Sequence, residues 1–284
     1  MSAYFERTAA DRYRPTTHAG GAWNDSEIHF SPLGGLIVHA IDRHRTAQAD
    51  GGQAPLDTQP LDTQPLDKQP LDKQLGRISF DILGFLAADE CTISVETIRP
   101  GRTIELIEAT VTIAGRAPVL ARAWFIGAVD TTTVAGGVPA ALLGPETLTS
   151  WPMNETWTGG YVSSLDVRPL SPPVPGRTTA WLGTGIHLVE GEEVSPHASF
   201  ITLVDTANGI AVRERPTEWL YPNLDLTIHL YRQPAGRWVG LDTTVTFGPA
   251  GHGLTSSVLH DTTGPVGRAE QILTIRPVQQ EAGR

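Results

Sequence analysis

The sequence predicts an α+β protein in which one unit is used twice, each unit an antiparallel β-sheet wrapped around a central helix. Three observations carry this expectation. Two stretches open with Ser-Pro, at Ser31-Pro32 and Ser195-Pro196, and continue with apolar residues at helical spacing. Segments rich in Ile, Val and Thr follow, joined by connections short enough to make their pairing antiparallel. The order of early strands, a helix and a long meander then recurs in the second half.

Residues 1–30 are polar and aromatic, and strand material is expected around Tyr13 and Trp23. In the first helix Leu33, Leu36, Ile37, Ala40 and Ile41 form an apolar face, and Gly34-Gly35 would let its backbone approach a neighbour closely. Four tandem copies of Pro-Leu-Asp-Thr/Lys-Gln fill Pro55 to Gln74. Proline at every fifth position blocks a helix, and one leucine per copy gives no face to stack, so a mobile loop over 50–76 is expected. Strands follow at 93–98, 104–113 and 119–126. The apolar positions of the middle strand change face between Leu106 and Ile107, which predicts a β-bulge there. Thr131 to Ser150, rich in Gly, Thr and Ala, reads as a linker, dividing the chain into units at 1–140 and 150–284.

The second half places strands at 161–167, 178–187, 224–231, 239–247, 253–259 and 269–275, with a helix from Ser195 to Gly209. Ser195 is a suitable N-cap, Pro196 fits the first helical position, and Asn208-Gly209 reads as a left-handed stop. Phe200, Leu203, Val204 and Ala207 share its apolar face. Asp205 then falls in the last turn, where the helix dipole makes an acid cost about 0.3–1 kcal/mol. A locally unfavourable residue is a place to look for function.

Composition narrows the function. The chain of 284 residues has 21 Lys and Arg against 31 Asp and Glu, a formal net charge of −10, and no basic run, which argues against nucleic acid. No apolar stretch approaches the roughly 20 residues of a membrane span, so no membrane insertion is expected. Cys91 is the single cysteine, excluding an internal disulfide and Cys-based zinc sites. With no apolar leader in Met1 to Asp11, a cytoplasmic protein is expected. Nucleophile-elbow, phosphate-loop, dinucleotide and His-Glu-x-x-His motifs are absent, and the histidine spacings suit no metal, so neither cofactor nor metal is called for. Exposed sheet faces and edges favour a homo-oligomer.

Three polar residues stand at informative places. Asp205 is one. Alternation in Asp225 to Tyr231 aims Thr227 away from the face of Leu226, Ile228 and Leu230. Gln271 shares a face with Leu273 and Ile275, where its amide needs a partner. An acid, a hydroxyl and an amide could together hold and deprotonate one water.

The stretches Asp205-Thr206-Ala207-Asn208-Gly209, Asn223-Leu224-Asp225-Leu226-Thr227-Ile228-His229-Leu230 and Gly267-Arg268-Ala269-Glu270-Gln271 resemble the acyl-CoA thioesterase II family. Gly34-Gly35 and Val95 to Thr103 match it in the first half. The resemblance implies a tandem (double) hot-dog fold, an acyl-CoA substrate, hydrolysis of its thioester, and a role in fatty acid metabolism. It also implies that Asp205, Thr227 and Gln271 are the catalytic residues binding the attacking water, and that amides near Gly34 and Gly35 face the substrate. A non-catalytic acyl-CoA-binding module of the same fold is the alternative. Dehydration or hydration of a 3-hydroxyacyl thioester is disfavoured, because no His-x-x-x-Gly-x-x-x-x-Pro occurs.

Overall fold

Leu33, Leu36, Ile37 and Ile41 are all buried along α1 (Phe30–Asp50). In the computed structural model, which describes residues 2–21, 23–24, 26–50 and 72–279, this helix lies antiparallel to α3 (Pro196–Val204). Ser195 Oγ donates to Asp42 Oδ2 near one end of the pair, Gly35 meets Ala198 and Thr202 at the crossing, and His29 stands beside Asp205 at the other end. A Cβ on Gly35 would come within 2.0 Å of Thr202 Oγ1 and 2.8 Å of the Ala198 carbonyl oxygen, so the crossing requires a glycine there.

Before the crossing of the two helices is complete, the chain forms β1 (Ala3–Arg7), β2 (Arg12–Pro15), α1, β3 (Lys73–Ile82), β4 (Cys91–Arg99), β5 (Ile104–Ile113) and β6 (Arg116–Gly127). After a segment with only short 3-10 turns come α2 (Gly160–Ser163), β7 (Leu165–Pro169), β8 (Arg177–Thr184), β9 (His187–Val189), α3 and α4 (Ala207–Ile210). The remainder is β10 (Trp219–Leu220), β11 (Asp225–Leu230), β12 (Val239–Phe247), β13 (His252–Asp261), β14 (Gly264–Thr274) and β15 (Arg276–Pro277).

Thirteen strands make one sheet in the order β7-β8-β12-β13-β14-β11-β3-β6-β5-β4-β2-β1-β9, while β10 pairs with β15. Pairing is antiparallel except between β1 and β9. The two halves join at β3 and β11, where Thr227 lies opposite Ser79. Only Gly185 and Ile186 separate β8 from β9, yet these strands stand near opposite ends of the order. The sheet therefore curls round the helix pair, and Tyr4 of β1 bonds Ser164 and Thr184 across the closure.

Several expectations shift. The bulge anticipated in β5 lies on its neighbour: β5 alternates regularly, and Ile98 of β4 is the extra residue between the pairs Thr97–Ile107 and Arg99–Leu106. The face change read in the sequence comes from a charged residue in an inward position, Glu105, held by Lys73 Nζ at 3.2 Å and Arg45 Nε at 3.3 Å. Gly160–Ser163 is a helical turn, so the strand expected from Tyr161 begins at Leu165. Of the segment expected as a loop over 50–76, Lys73 to Gly76 belong to β3, and residues 51–71 with most of the Pro-Leu-Asp repeat lie outside the described residues. Trp23 is not in a strand.

Candidate active site

Ser195 accepts the Ala198 amide hydrogen and Pro196 occupies the first turn, as the capping rules require. The helix does not stop at Asn208-Gly209. It breaks after Val204, and α4 carries the chain on to Ile210, with Asp205 at the joint in helical conformation. Asp205 is only 6% exposed. Its Oδ1 accepts two amide hydrogen bonds, from Asn223 Nδ2 and Gln271 Nε2, each at 2.8 Å. Burial pushes its carboxyl up to about 6, while those two bonds pull it down. The helix end was the cause expected from the sequence. In the structure the C-terminus of α3 meets the N-terminus of α1, whose opposite dipole offsets it, and burial leads.

Gln271 projects from the inward face of β14 with Ala269 and Leu273, and its Oε1 is buried without a hydrogen-bond partner among the described residues. Leaving such an acceptor unmet costs about 1–3 kcal/mol, unless a water or substrate meets it. Asn223 sits two residues before β11, fixed by a bridge to Leu273 and by donating from Nδ2 to its own neighbour's carbonyl, that of Asp225.

His29 closes the other side. It is the cap of α1, with Nδ1 accepting the Ser31 amide hydrogen at 3.1 Å. Nδ1 is also 3.7 Å from Asp205 Oδ2. These groups are not an ion pair: an Nδ1 that accepts a hydrogen bond carries no proton, and burial pushes the imidazole down to about 3. The ring stacks on Tyr161 at 4.3 Å between centroids, and Tyr161 is itself tied to the Thr202 carbonyl oxygen and to Thr206 Oγ1.

Between these groups lies a cavity of about 40 Å³, walled by His29, Asp205, Asn223, Trp23, Trp157 and Met153 among others. A water occupies roughly 30 Å³ of liquid, so the space suits one water beside the carboxylate. A hollow of about 700 Å³ elsewhere is lined by Thr184 to Leu188, Glu192, Glu193, Arg237 and one face of α3. Its Glu192 is a poorer base: burial raises it, but hydrogen bonds from His39 and Arg7 outweigh that and hold it below the usual carboxylate range. The smaller cavity is therefore the better candidate for the chemistry.

Of the residues read from the sequence, Asp205 and Gln271 come together. Thr227 does not join them. It pairs with Glu270 and Ser79 on the outer face of the sheet, while Gln271, one residue on from Glu270, points inward. Alternation in the strands forbids Thr227 and Gln271 from sharing a side. Gly34 and Gly35 lie in the second turn of α1 rather than at its start; Gly35 faces α3 and Gly34 packs near Phe30 and Ile201. Sequence reasoning missed Asn223 and His29. Asn223 stood inside a quoted motif, and the signal for His29 was its place just before the Ser31-Pro32 helix start.

A curved antiparallel sheet around two antiparallel helices defines a double hot-dog protein. Family models agree: that of the acyl-CoA thioesterase N-terminal domain matches residues 20–126, and that of the C-terminal domain matches 145–275. The chain belongs to the acyl-CoA thioesterase family and is a thioesterase enzyme. Among solved structures it is similar to an acyl-CoA thioesterase II, TesB2, from Mycobacterium marinum, with TM-score 0.61 and 16% identity over 99% of this chain and 96% of that one. A hot dog fold protein of unknown function from Alicyclobacillus acidocaldarius gives TM-score 0.67 and 11% identity, covering 96% and 95%. A tesB protein from Mycobacterium avium subs paratuberculosis gives 0.62 and 14%, covering 96% of each chain. At such identities the likeness is one of fold. No curated protein matches the sequence. Among the described residues no helix is long and apolar enough to cross a membrane.

Proposed function

We propose that the protein hydrolyses acyl-CoA thioesters to free acid and CoA, with Asp205 as general base. One observation carries the reading: a buried carboxylate has one oxygen held by two amides and the other turned toward a water-sized cavity. Asp205 Oδ2 takes a proton from the water as its oxygen attacks the thioester carbon. The C–S bond of the tetrahedral intermediate then breaks, and the CoA thiolate takes up the proton held by Asp205, which restores the base. A base near 6 is mostly ionised at neutral pH yet still basic enough to act. Gln271 acts from behind the carboxylate, its Nε2 holding Asp205 Oδ1. Asn223 takes the orienting role read for Thr227. Gly34 and Gly35 act by letting α1 approach α3, which brings the N-terminus of α1 to the substrate.

The test is thiol release over acyl-CoAs of several chain lengths. Wild type is expected to release CoA, and Asp205→Asn to lose at least about 100-fold in kcat. Binding without release would instead make the chain a non-catalytic acyl-CoA carrier.

Three further points belong to this proposal. Residues 1–140 and 150–284 are two units of the fold, a division favoured by the repeated helix-and-meander order. The protein self-associates: Leu224, Leu254 and Ile272 are neighbours on the outer face of the sheet and each more than 40% exposed, and sedimentation would give the oligomeric state. It works in the cytoplasm, where its one thiol, Cys91, stays reduced; burial pushes that thiol up to about 12.

A further inference from the structure

We propose that His29 is a second catalytic residue, donating Nε2–H from a neutral imidazole to the carbonyl oxygen of the thioester and stabilising the oxyanion that forms there. The inference rests on the reading of Asp205 as the base.

The tautomer comes first. Ser31 N–H donates to Nδ1 at 3.1 Å, so the single proton of a neutral ring is on Nε2. Nε2 has no acceptor among the described residues, and the ring lines the cavity that holds Asp205. A donor with no acceptor at a cavity wall is placed for a ligand oxygen.

Spacing comes second. Nδ1 is 3.7 Å from Asp205 Oδ2, so the imidazole and the base stand together at one cavity. The carbonyl can thus sit with its carbon over the water and its oxygen against Nε2.

Rigidity comes third. The ring packs at a tilt of 33° against Tyr161, which is fixed by the Thr202 carbonyl oxygen and Thr206 Oγ1, so the donor needs little reorganisation as charge develops. Neutrality also protects the base. An imidazolium at this distance would pair with Asp205 and lower its basicity, whereas burial keeps His29 uncharged at working pH. The first half of the chain thereby supplies the electrophilic group and the second half the base.

His29→Asn separates this role from capping. Asparagine is among the best N-cap residues, so the start of α1 is retained while the long donor is lost. The expected result is a Tm close to wild type, KM within about threefold and kcat lowered about 100-fold, with the acid limb of the pH–rate profile unmoved. A kcat loss below about tenfold, or disappearance of the acid limb, overturns the assignment. Nitrogen NMR of His29 in the wild-type protein is the second measurement and depends on no variant: an Nε2–H tautomer across pH 5 to 8 is expected, and an Nδ1–H tautomer or a charged ring overturns it. Asp205→Asn is assayed in parallel. If it stays active, the base reading fails; if it is inactive while His29→Asn retains kcat, only this inference fails.

Discussion

The two core helices have the same Ser-Pro opening and opposite functional ends. Ten residues after Ser195 stands Asp205, and ten after Ser31 stands Ile41, buried in the core. Because α1 and α3 run antiparallel, the C-terminal end of one meets the N-terminal end of the other. The acid at the joint after α3 is therefore relieved by the helix beside it, and the cap of α1 faces that acid. The two helices open alike, and their crossing sets the end of one against the start of the other. A half with no acid at this depth thus places His29 beside the acid of the other.

The largest expected effect breaks the comparison at its acidic end: Asp205→Asn lowers kcat by about 100-fold or more in the thiol-release assay. The same variant should gain stability. Asp205 is held at about 6 in the fold, against roughly 3.9 in an unfolded chain, so the native state binds more protons between those pH values. Wild-type stability then falls as pH rises through that window, by roughly 3 kcal/mol in all, and stays lower above it. Asp205→Asn should lack this loss, read as a Tm difference from wild type that grows between pH 4 and 7.

Asn223→Ala removes one donor to the ionised Asp205. Its acid limb should move above pH 6, with kcat reduced about tenfold at neutral pH, and an unmoved limb would show that this bond does not tune the base. At the crossing, Gly35→Ala forces a methyl into Thr202 and should cost about 1–3 kcal/mol by denaturant unfolding, part of it recovered by adding Thr202→Ala. The smallest effect belongs to Thr227→Ala, within about twofold of wild-type kcat, since its hydroxyl is on the outer face. A large loss there would overturn the division of the sheet into a working and a non-working side.

Much of this was legible in the sequence. Capping and periodicity located the start of α3 and came within two residues of the start of α1, whose cap is His29 rather than Ser31, and Asp205 and Gln271 each stood out as a polar group in apolar company. Thr227 is instructive because strand alternation had already aimed it away from the leucine face, which is where Asp205 and Gln271 lie. The family resemblance groups Thr227 with Asp205 and Gln271, whereas the pairing of Thr227 with Glu270 puts it on the other face of the sheet from Gln271. Asn223 precedes its strand, and its direction depends on a bridge to Leu273 fifty residues on, which no local pattern encodes. His29 has no periodic signature at all. Its place beside Asp205 follows from the antiparallel crossing of two helices that are far apart in the chain. Glu105 misled in the opposite sense, as a charge on an inward strand position can be told from a bulge only when Arg45 and Lys73 are seen around it.

The parallel pairing of β1 with β9 bears on how the chain is made. Ala3 is made well before its partner His187, and β3 must wait for β11. During synthesis the early half thus exposes two strand edges that nothing yet covers, and closing them means joining segments at very long range, the slowest kind of contact to form. Folding of the whole is then timed by the arrival of the second half, and separately expressed halves would meet each other as two sticky edges rather than as finished domains.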